Sequence, residues 1–149
     1  MKTKCCDTHL NENEIKDLLV ENGISRTKIK TQIIDLLSKS KKPLSANELY
    51  QKIGASSCNI SSVFRTLTQF QEKGLIREIN LGEDFFRFEL INQQENDDHH
   101  HHHVRCRDCG DIKFIEQCDL SLFEKVISKL GFKNMEHYLE FTGICSKCS

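Results

Sequence analysis

The stretch HHHHHVRCRDCG, residues 99–110, contains the pair Cys106 and Cys109, and GICSKC, residues 143–148, contains a second pair, Cys145 and Cys148. Residues 110–144 separate the two C-x-x-C pairs, which leaves room for a strand and a helix before the chain returns. Four thiolates from two such knuckles satisfy the tetrahedral sulfur coordination that Zn²⁺ prefers. The spacing therefore predicts a structural zinc that joins the end of a domain to its beginning.

Five consecutive histidines, residues 99–103, directly precede the first knuckle. Side chains alternate between the two faces of an extended segment, so His101 and His103 are expected on one face and His100 and His102 on the other. One short run therefore has the geometry to serve two separate metal sites.

Other interpretations of these residues compete with zinc and specific metal sites. The cysteines are also compatible with disulfides, although the chain begins MKTKCCDTHL without an apolar signal segment, which favours a reducing cytoplasm. The histidines are also compatible with a purification tag, although they are internal and adjoin a cysteine knuckle. A nonspecific His-rich metal-binding tract is a further alternative.

The distribution of charge is more informative than the net charge, which is −1 over 149 residues. Basic residues are spread through the first 80 positions, whereas Glu95, Asp97 and Asp98 precede the histidines. This pattern favours a polyanion-binding module joined to a cation-binding one, with Lys30 among the candidate DNA contacts. The length allows one domain or two small ones that need a metal or a partner subunit for stability. No targeting or transmembrane segment is evident.

The first half of the chain has the pattern of a winged helix-turn-helix. Thr27 is a candidate N-cap, and Ser45 with Glu48 forms a capping box that opens a short helix. After a polar turn, a longer helix is expected from about Asn59 to Lys73. Two strand-like runs, LIREI and FFRFELI, then flank the hairpin connection NLGED and form the wing.

The longer helix is the candidate recognition helix. It is expected to lay Asn59, Ser61, Ser62 and Arg65 along its polar side in the major groove of DNA. Arg65 either reads a guanine or holds a phosphate. The apolar residues of the same helix, Val63, Leu67 and Phe70, are interpreted as packing residues without a role at DNA.

The polar segment INQQENDD provides a linker before the second half. HVRC, DIKFIE and HYLEFTGIC are expected to be strands, and residues 120–130 a helix with Leu122, Val126 and Ile127 turned inward. The expected fold class is α+β, a winged helix-turn-helix followed by a small α/β domain held together by the four cysteines. The expected boundaries are 1–91 for the DNA-binding domain, 92–98 for the linker and 99–149 for the metal-binding domain.

From about Gly23 to Cys148 the chain resembles the ferric uptake regulator (Fur) family of bacterial metal-dependent repressors. The matching motifs are SANELYQKI, SSVFRTLTQFQEKGLI, FRFEL, HHHHHVRCRDCG, GFKNMEH and GICSKC. The resemblance implies a homodimer, formed through the second domain, that binds palindromic double-stranded DNA and no membrane. It also implies that structural zinc is held by Cys106, Cys109, Cys145 and Cys148.

The resemblance implies two further metal sites. A sensory site is built from Glu89, His101 and His103, at the hinge between the domains. A second site takes His100, His102, His137 and an acidic residue for which Asp119 is the candidate. The expected cofactors are therefore structural Zn²⁺ and a sensory Fe²⁺, Zn²⁺ or Mn²⁺.

Several positions depart from the family pattern. Pro43 stands where many iron-type members have a histidine, and Ile91 where zinc-sensing members often have a cysteine. Lys113, with one residue deleted nearby, replaces the usual carboxylate after the first knuckle, which argues against a peroxide-sensing member. Phe64, a further candidate DNA contact, replaces the tyrosine of the TVYR motif, so one hydroxyl contact to DNA is lost.

These features together predict a cytoplasmic, metal-dependent transcriptional repressor that is not an enzyme. Metal ligands from both domains would fix the separation of two recognition helices and so favour DNA binding. Imidazole and carboxylate suit both iron and zinc. The carboxylate of Glu89 and the absence of a cysteine at position 91 favour iron sensing slightly, and a zinc-sensing or peroxide-sensing member of the same family is the alternative. A metal store or chaperone and a zinc-dependent hydrolase are the alternatives of other classes, although no H-E-x-x-H motif is present.

Overall fold

A computed structural model describes residues 9–91, 102–115, 119–135 and 137–149. The chain divides into two compact units, Met1–Gln94 and Glu95–Ser149, called here the N-terminal and C-terminal units. The elements in chain order are α1 Glu12–Glu21, α2 Lys28–Lys39, β1 Leu44–Ser45, α3 Ala46–Ile53, α4 Ile60–Glu72, β2 Ile76–Ile79, β3 Arg87–Leu90, β4 His102–Cys106, β5 Ile112–Ile115, α5 Ser121–Lys129 and β6 Glu140–Gly143.

The N-terminal unit has the predicted winged helix-turn-helix arrangement, with helices α1 to α4 followed by the β2–β3 hairpin. The capping box at the start of α3 is confirmed, because the Ser45 hydroxyl accepts from the Glu48 N–H while the Glu48 carboxylate accepts from the Ser45 N–H. The short strand β1, which the sequence did not predict, pairs with β3 and completes a sheet of order β1-β3-β2.

The core of the N-terminal unit forms where the apolar stripes of the helices meet the sheet. Val63, Leu67 and Phe70 of α4 are at most 1% exposed, which confirms their interpretation as packing residues. Ile33, Ile34 and other large aliphatic side chains belong to the same cluster. Burial of each such side chain stabilises the fold by about 1.5–3 kcal/mol. This core fixes the orientation of α4, whose opposite side is exposed.

The Arg87 side chain links the wing to the start of α3. Its guanidinium donates to both carboxylate oxygens of Glu83, at 2.5 and 3.0 Å, and to Glu48 Oε2 at 2.8 Å. The hydrogen bonds to Glu83 raise the pKa of Arg87, which is largely buried and carries its charge between these two carboxylates. The ion pairs therefore position the wing strand relative to the helix-turn-helix.

The C-terminal unit contains a sheet of order β5-β4-β6, in which β4 is antiparallel to β5 and parallel to β6. Helix α5 occurs close to its predicted bounds, but the prediction that its apolar residues turn inward is wrong. Leu122 and Val126 are 70% and 52% exposed, Ile127 is half-buried, and no residue of α5 is buried. The apolar face of α5 therefore has no cover within the part of the chain that is described. Among those residues, no helix is long and apolar enough to cross a membrane.

Candidate metal centres and DNA-reading helix

The four knuckle cysteines come together at one end of the C-terminal sheet. Their sulfur atoms all lie within 4.8 Å of one another, and Cys109 Sγ is 3.6 Å from Cys145 Sγ. Tetrahedral Zn²⁺ with bonds of about 2.3 Å to sulfur places its ligands about 3.8 Å apart. The cysteines are separate thiols rather than disulfides, and their spacing fits a zinc ion.

Backbone hydrogen bonds shape both knuckles. The N–H of Gly110 donates to the Cys106 carbonyl at 3.0 Å, and Gly110 adopts φ +70°, a left-handed turn that favours glycine. The N–H of Cys145 donates to Cys106 Sγ at 3.3 Å, so the second knuckle is tied directly to the first sulfur. The N–H of Cys148 closes the second turn on the Cys145 carbonyl at 2.9 Å.

These backbone donors influence the ionisation of the cluster. Hydrogen bonds from the N–H groups of Cys109 and Cys145 lower the pKa of the Cys106 thiol to about 6. Hydrogen bonds between the Cys148 thiol and the neighbouring sulfurs, that of Cys145 first and then that of Cys109, raise the pKa of Cys148 to about 12, because they favour its neutral form. The backbone donors thus favour the thiolate form of Cys106, which is the form that binds a cation.

Strand β4 leads into this cluster and carries two histidines with different surroundings. His102 is buried, and its Nε2 lies 3.4 Å from Nε2 of His137, with the rings tilted by 44°. Two imidazole nitrogens bound to one tetrahedral ion at 2.0–2.1 Å would lie about 3.3 Å apart. The His102–His137 pair therefore has the spacing of two ligands of a shared metal ion.

Asp119, the predicted acidic partner of that pair, has a different contact. Its carboxylate accepts the N–H of Ser121 at 3.2 Å, and hydrogen bonds from Ser121 lower the pKa of Asp119. Among the described residues, the four cysteines are the one group of three or more possible ligands that converges. Asp119 lies just before α5, and its carboxylate does not converge with His102 and His137 on one possible metal position.

His103 has a carboxylate neighbour that the sequence did not indicate. The ring nitrogen Nδ1 of His103 lies 3.3 Å from Glu140 Oε1, and the His103 backbone N–H donates to Glu140 Oε2 at 3.1 Å. The parallel pairing of β4 with β6 sets His103 directly beside Glu140. His103 is fully buried, whereas the Glu140 side chain is partly exposed.

Lys113, which replaces the usual carboxylate after the first knuckle, is not the residue of β5 that lies opposite His103. Lys113 pairs with Val104 and is exposed, and it is Phe114 that lies directly opposite His103 on β5. The two rings are 5.1 Å apart. The position next to His103 on β5 therefore carries an aromatic ring, and the nearby carboxylate comes from β6 instead.

Glu89, the predicted sensory carboxylate, belongs to β3 of the N-terminal unit. It lies opposite Arg77 of β2 and forms an ion pair with the Arg77 guanidinium. Its side chain is only 13% exposed. A metal ion bound by Glu89 would therefore share this carboxylate with an arginine. His100 and His101, the other predicted ligands from the run, lie outside the described residues.

The predicted DNA contacts on α4 divide into two groups. Asn59 caps the helix, since its Oδ1 accepts from the Ser62 N–H at 2.8 Å and from the Ser62 hydroxyl at 2.9 Å. Ser61, Phe64 and Arg65 are exposed on the side of the helix away from the core. Asn59 and Ser62 thus hold the start of the helix. Ser61, Phe64 and Arg65 provide the surface that is available to a ligand.

Phe64 and Lys30, two of the predicted DNA contacts, have further neighbours. Phe64 is half exposed and lines a groove of about 350 Å³ together with Phe85 and Phe86 of the wing. Lys30, the predicted DNA contact outside α4, is half-buried and donates to the Ser25 hydroxyl at 2.9 Å. The wing thus adds aromatic surface to the exposed side of α4.

The winged helix and the cysteine cluster agree with the comparison of this sequence with known families. The model of the ferric uptake regulator family matches residues 21–142. The chain belongs to the ferric uptake regulator family. Members of this family are metal-responsive transcription regulators, not enzymes, and they bind DNA as dimers.

Individual relatives support the same assignment. The chain is 35% identical over 143 residues to a "Ferric uptake regulation protein" of Staphylococcus epidermidis, with 93% of this chain and 96% of the relative covered. It is 29% identical over 139 residues to a "Peroxide operon regulator" of Bacillus subtilis, with 91% of this chain and 92% of the relative covered. The solved iron-containing ferric uptake regulator of Francisella tularensis is similar at TM-score 0.72 and 27% identity, with 85% of this chain and 95% of that chain covered. Fur family membership and the fold class predicted from the motifs are thus confirmed.

Proposed function

We propose that this Fur family member is a homodimeric repressor that binds palindromic DNA when Fe²⁺ is bound by Glu89, His101 and His103. The observation that carries the proposal is strand β4, which ends in Cys106 and directs His102 and His103 to different partners. One strand thus supplies ligands to the zinc cluster and to two other candidate sites. We place its action in the cytoplasm, where its DNA target lies and where reducing conditions preserve the thiols.

The three metal sites have different proposed roles. Cys106, Cys109, Cys145 and Cys148 hold zinc and stabilise the C-terminal unit, in line with sulfur spacings that fit tetrahedral coordination. The pair His102 and His137, together with His100, forms a second site. Asp119 joins this second site only if its carboxylate moves towards the two histidines, with which it does not converge in this structure.

The regulatory step is a coupling between metal binding and DNA binding. Glu89 belongs to the N-terminal unit and His103 to the C-terminal unit. When both bind the same ion, together with His101, they restrict the relative orientation of the two units. In a dimer this restriction sets the separation of the two α4 helices, and both half-sites of a palindrome can then be contacted together. A coupling of this kind is typically worth about 1–3 kcal/mol.

Helix α5 provides the surface for dimerisation. Its exposed apolar residues Leu122, Phe123 and Val126, together with Leu130 directly after the helix, form a face that an isolated C-terminal unit leaves in water. Exposed apolar surface of this kind marks protein–protein contacts. In the proposed dimer a second copy covers this face.

The proposed DNA contacts lie on the exposed side of α4. Ser61, Phe64 and Arg65 face outward there, while the opposite side packs on the core. Asn59 and Ser62 hold the start of the helix at the groove, and Lys30 contributes a basic contact beside it. Arg65 supplies the contact to a guanine edge or to a phosphate.

The choice of Fe²⁺ rests on the ligand set and on the relatives. Imidazole and carboxylate ligands suit Fe²⁺, Mn²⁺ and Zn²⁺, whereas an added thiolate would favour zinc, and position 91 is isoleucine. The staphylococcal relative is named for ferric uptake, and the Francisella structure contains iron. Iron is therefore favoured over zinc and manganese.

An anaerobic titration tests the assignment. Zinc-loaded protein is titrated with Fe²⁺, Mn²⁺ or Zn²⁺ at fixed ionic strength, and binding to a duplex selected from a random library is measured by fluorescence anisotropy. Fe²⁺ is expected to produce DNA binding at the lowest free concentration. Activation by Zn²⁺ alone would identify a zinc sensor, and the absence of a response to any of these ions would refute metal-dependent repression.

Peroxide sensing is the second candidate, favoured by the similarity to the Bacillus subtilis regulator. The Fe²⁺-loaded protein is treated with hydrogen peroxide and analysed by peptide mass spectrometry. A gain of one oxygen atom on His101 or His103, together with loss of DNA binding, would establish this function. Unmodified histidines with intact DNA binding would leave iron sensing as the function.

A further inference from the structure

Glu140 has a contact geometry that concerns how His103 binds metal. Both of its carboxylate oxygens face His103: Oε1 lies 3.3 Å from the ring nitrogen Nδ1, and Oε2 accepts the backbone N–H at 3.1 Å. The two contacts arise because β6 runs parallel to β4 with Glu140 in register beside His103. One side chain thus restrains both the main chain and the ring of the same residue.

The chemistry of the contact selects one form of the imidazole. In neutral histidine one ring nitrogen carries hydrogen and the other has a lone pair, and only the lone pair binds metal. A carboxylate accepts hydrogen bonds and cannot donate one when ionised. Beside an ionised carboxylate the favoured form of His103 therefore carries its hydrogen on Nδ1, which leaves the lone pair on Nε2.

The surroundings of the ring restrict its orientation as well. Phe114 lies opposite His103 on β5, with ring centroids 5.1 Å apart. His103 is fully buried, on the central strand of the sheet β5-β4-β6. A rotation of the imidazole would break the contact with Glu140 and displace the ring from Phe114.

We propose that Glu140 is a positioning residue that holds His103 with Nδ1 protonated, so that Nε2 is its metal-binding atom. The inference rests on the proposed function, in which His103 is a sensory ligand. Metal-bound histidines commonly donate their other ring N–H to a carboxylate, which fixes the tautomer and strengthens the ligand. The residue opposite His103 on β5 is Phe114, which has no carboxylate. The carboxylate that positions His103 therefore comes from Glu140 on β6.

The variant Glu140→Gln separates positioning from simple packing. Glutamine has the same shape but only one oxygen, so it cannot accept from both the His103 main chain and ring. If its oxygen keeps the main-chain contact, its amide group faces Nδ1 as a donor and favours the tautomer with hydrogen on Nε2. The exposed Glu124 of α5 is the matched control, as Glu124→Gln removes the same charge elsewhere in this unit.

Two measurements are made on full-length protein whose zinc content has been verified. Long-range ¹H–¹⁵N spectra report which nitrogen of His103 carries hydrogen, with His103→Ala used for assignment. Chelator competition gives the affinity for Co²⁺, used as a redox-stable probe. Glu140→Gln should change the tautomer and weaken Co²⁺ binding by about 10–100-fold, the usual cost of losing such a partner, whereas Glu124→Gln should leave both unchanged.

The outcomes distinguish the inference from the function on which it rests. An unchanged tautomer overturns the inference, whether or not Co²⁺ binding weakens; if binding does weaken, Glu140 is a direct ligand instead. If His103→Ala binds Co²⁺ as well as the wild type, His103 is not a sensory ligand and the proposed function fails at that residue.

Should Glu140→Gln misfold, Glu140→Asp replaces it, and its shorter side chain is expected to make only one of the two contacts with His103. Unchanged Co²⁺ affinity and tautomer in that variant overturn the inference.

Discussion

Replacement of Cys106 by serine should unfold the C-terminal unit and leave the N-terminal unit folded. Among the described residues of the C-terminal unit, only His102, His103, Cys106 and Ile112 are buried. Ile112 is the one large aliphatic side chain among them, and its burial contributes about 1.5–3 kcal/mol. Structural zinc in zinc-finger peptides contributes about 10–16 kcal/mol of apparent binding free energy at pH 7. The zinc cluster therefore outweighs apolar burial by several-fold in this unit.

Hydrogen exchange measured by mass spectrometry provides the assay. Peptides covering β4, β5 and β6 should lose protection in Cys106→Ser, whereas peptides from α3 and α4 should keep it, because the large apolar core of the N-terminal unit contains no metal ligand. Cys58→Ser is the matched control, since Cys58 packs against that core and should leave zinc content unchanged. Retention of protected β4–β6 amides in a Cys106→Ser sample without zinc would refute the reasoning.

Three further substitutions test the other parts of the account. Arg65→Ala should weaken operator binding by about 1–3 kcal/mol in anisotropy titrations without changing metal content, whereas Lys73→Ala, at the far end of α4, should have little effect. His101→Ala should keep the structural zinc in elemental analysis yet abolish the Fe²⁺ response of DNA binding, and a normal response would place the sensor elsewhere. Arg87→Met should lower the free energy of unfolding by about 3–5 kcal/mol in urea titrations, because it leaves Glu83 and Glu48 without their buried guanidinium; an unchanged midpoint would contradict this role.

Local patterns in the sequence predicted the elements that depend on neighbouring residues. The capping box of Ser45 and Glu48, the apolar stripe of α4 and the paired C-x-x-C knuckles are of this kind, and the structure contains each of them. Strand β1 was not predicted, because two residues after Pro43 are too few to show the alternation of a strand. Its existence depends on pairing with β3.

The sequence patterns did not predict contacts between strands that are far apart in the chain. Glu140 lies 37 residues after His103, and only the parallel register of β4 and β6 brings the two together. The register of β5 likewise decides that Phe114, rather than Lys113, lies opposite His103. The spacing of the apolar residues predicted the helix α5. The same spacing does not show whether the apolar face of α5 is covered by its own unit or by a second chain.

The roles of the individual metal ligands and DNA contacts, and the domain boundaries, remain predictions. The Arg77–Glu89 ion pair adds a constraint that the sequence did not indicate, since a metal ion bound by Glu89 must share the carboxylate with Arg77. This competition would raise the metal concentration needed for a response. It is consistent with a sensor that responds only when the ion is abundant.

The most direct test of the account compares the affinity of one protein for one duplex in two metal states. Protein loaded only with its structural zinc is compared with the same protein after saturation with Fe²⁺, anaerobically and at one salt concentration, because DNA affinity depends steeply on salt. The account predicts that Fe²⁺ tightens binding by about 5–150-fold, the range expected for such a coupling. Equal affinity in the two states would contradict it.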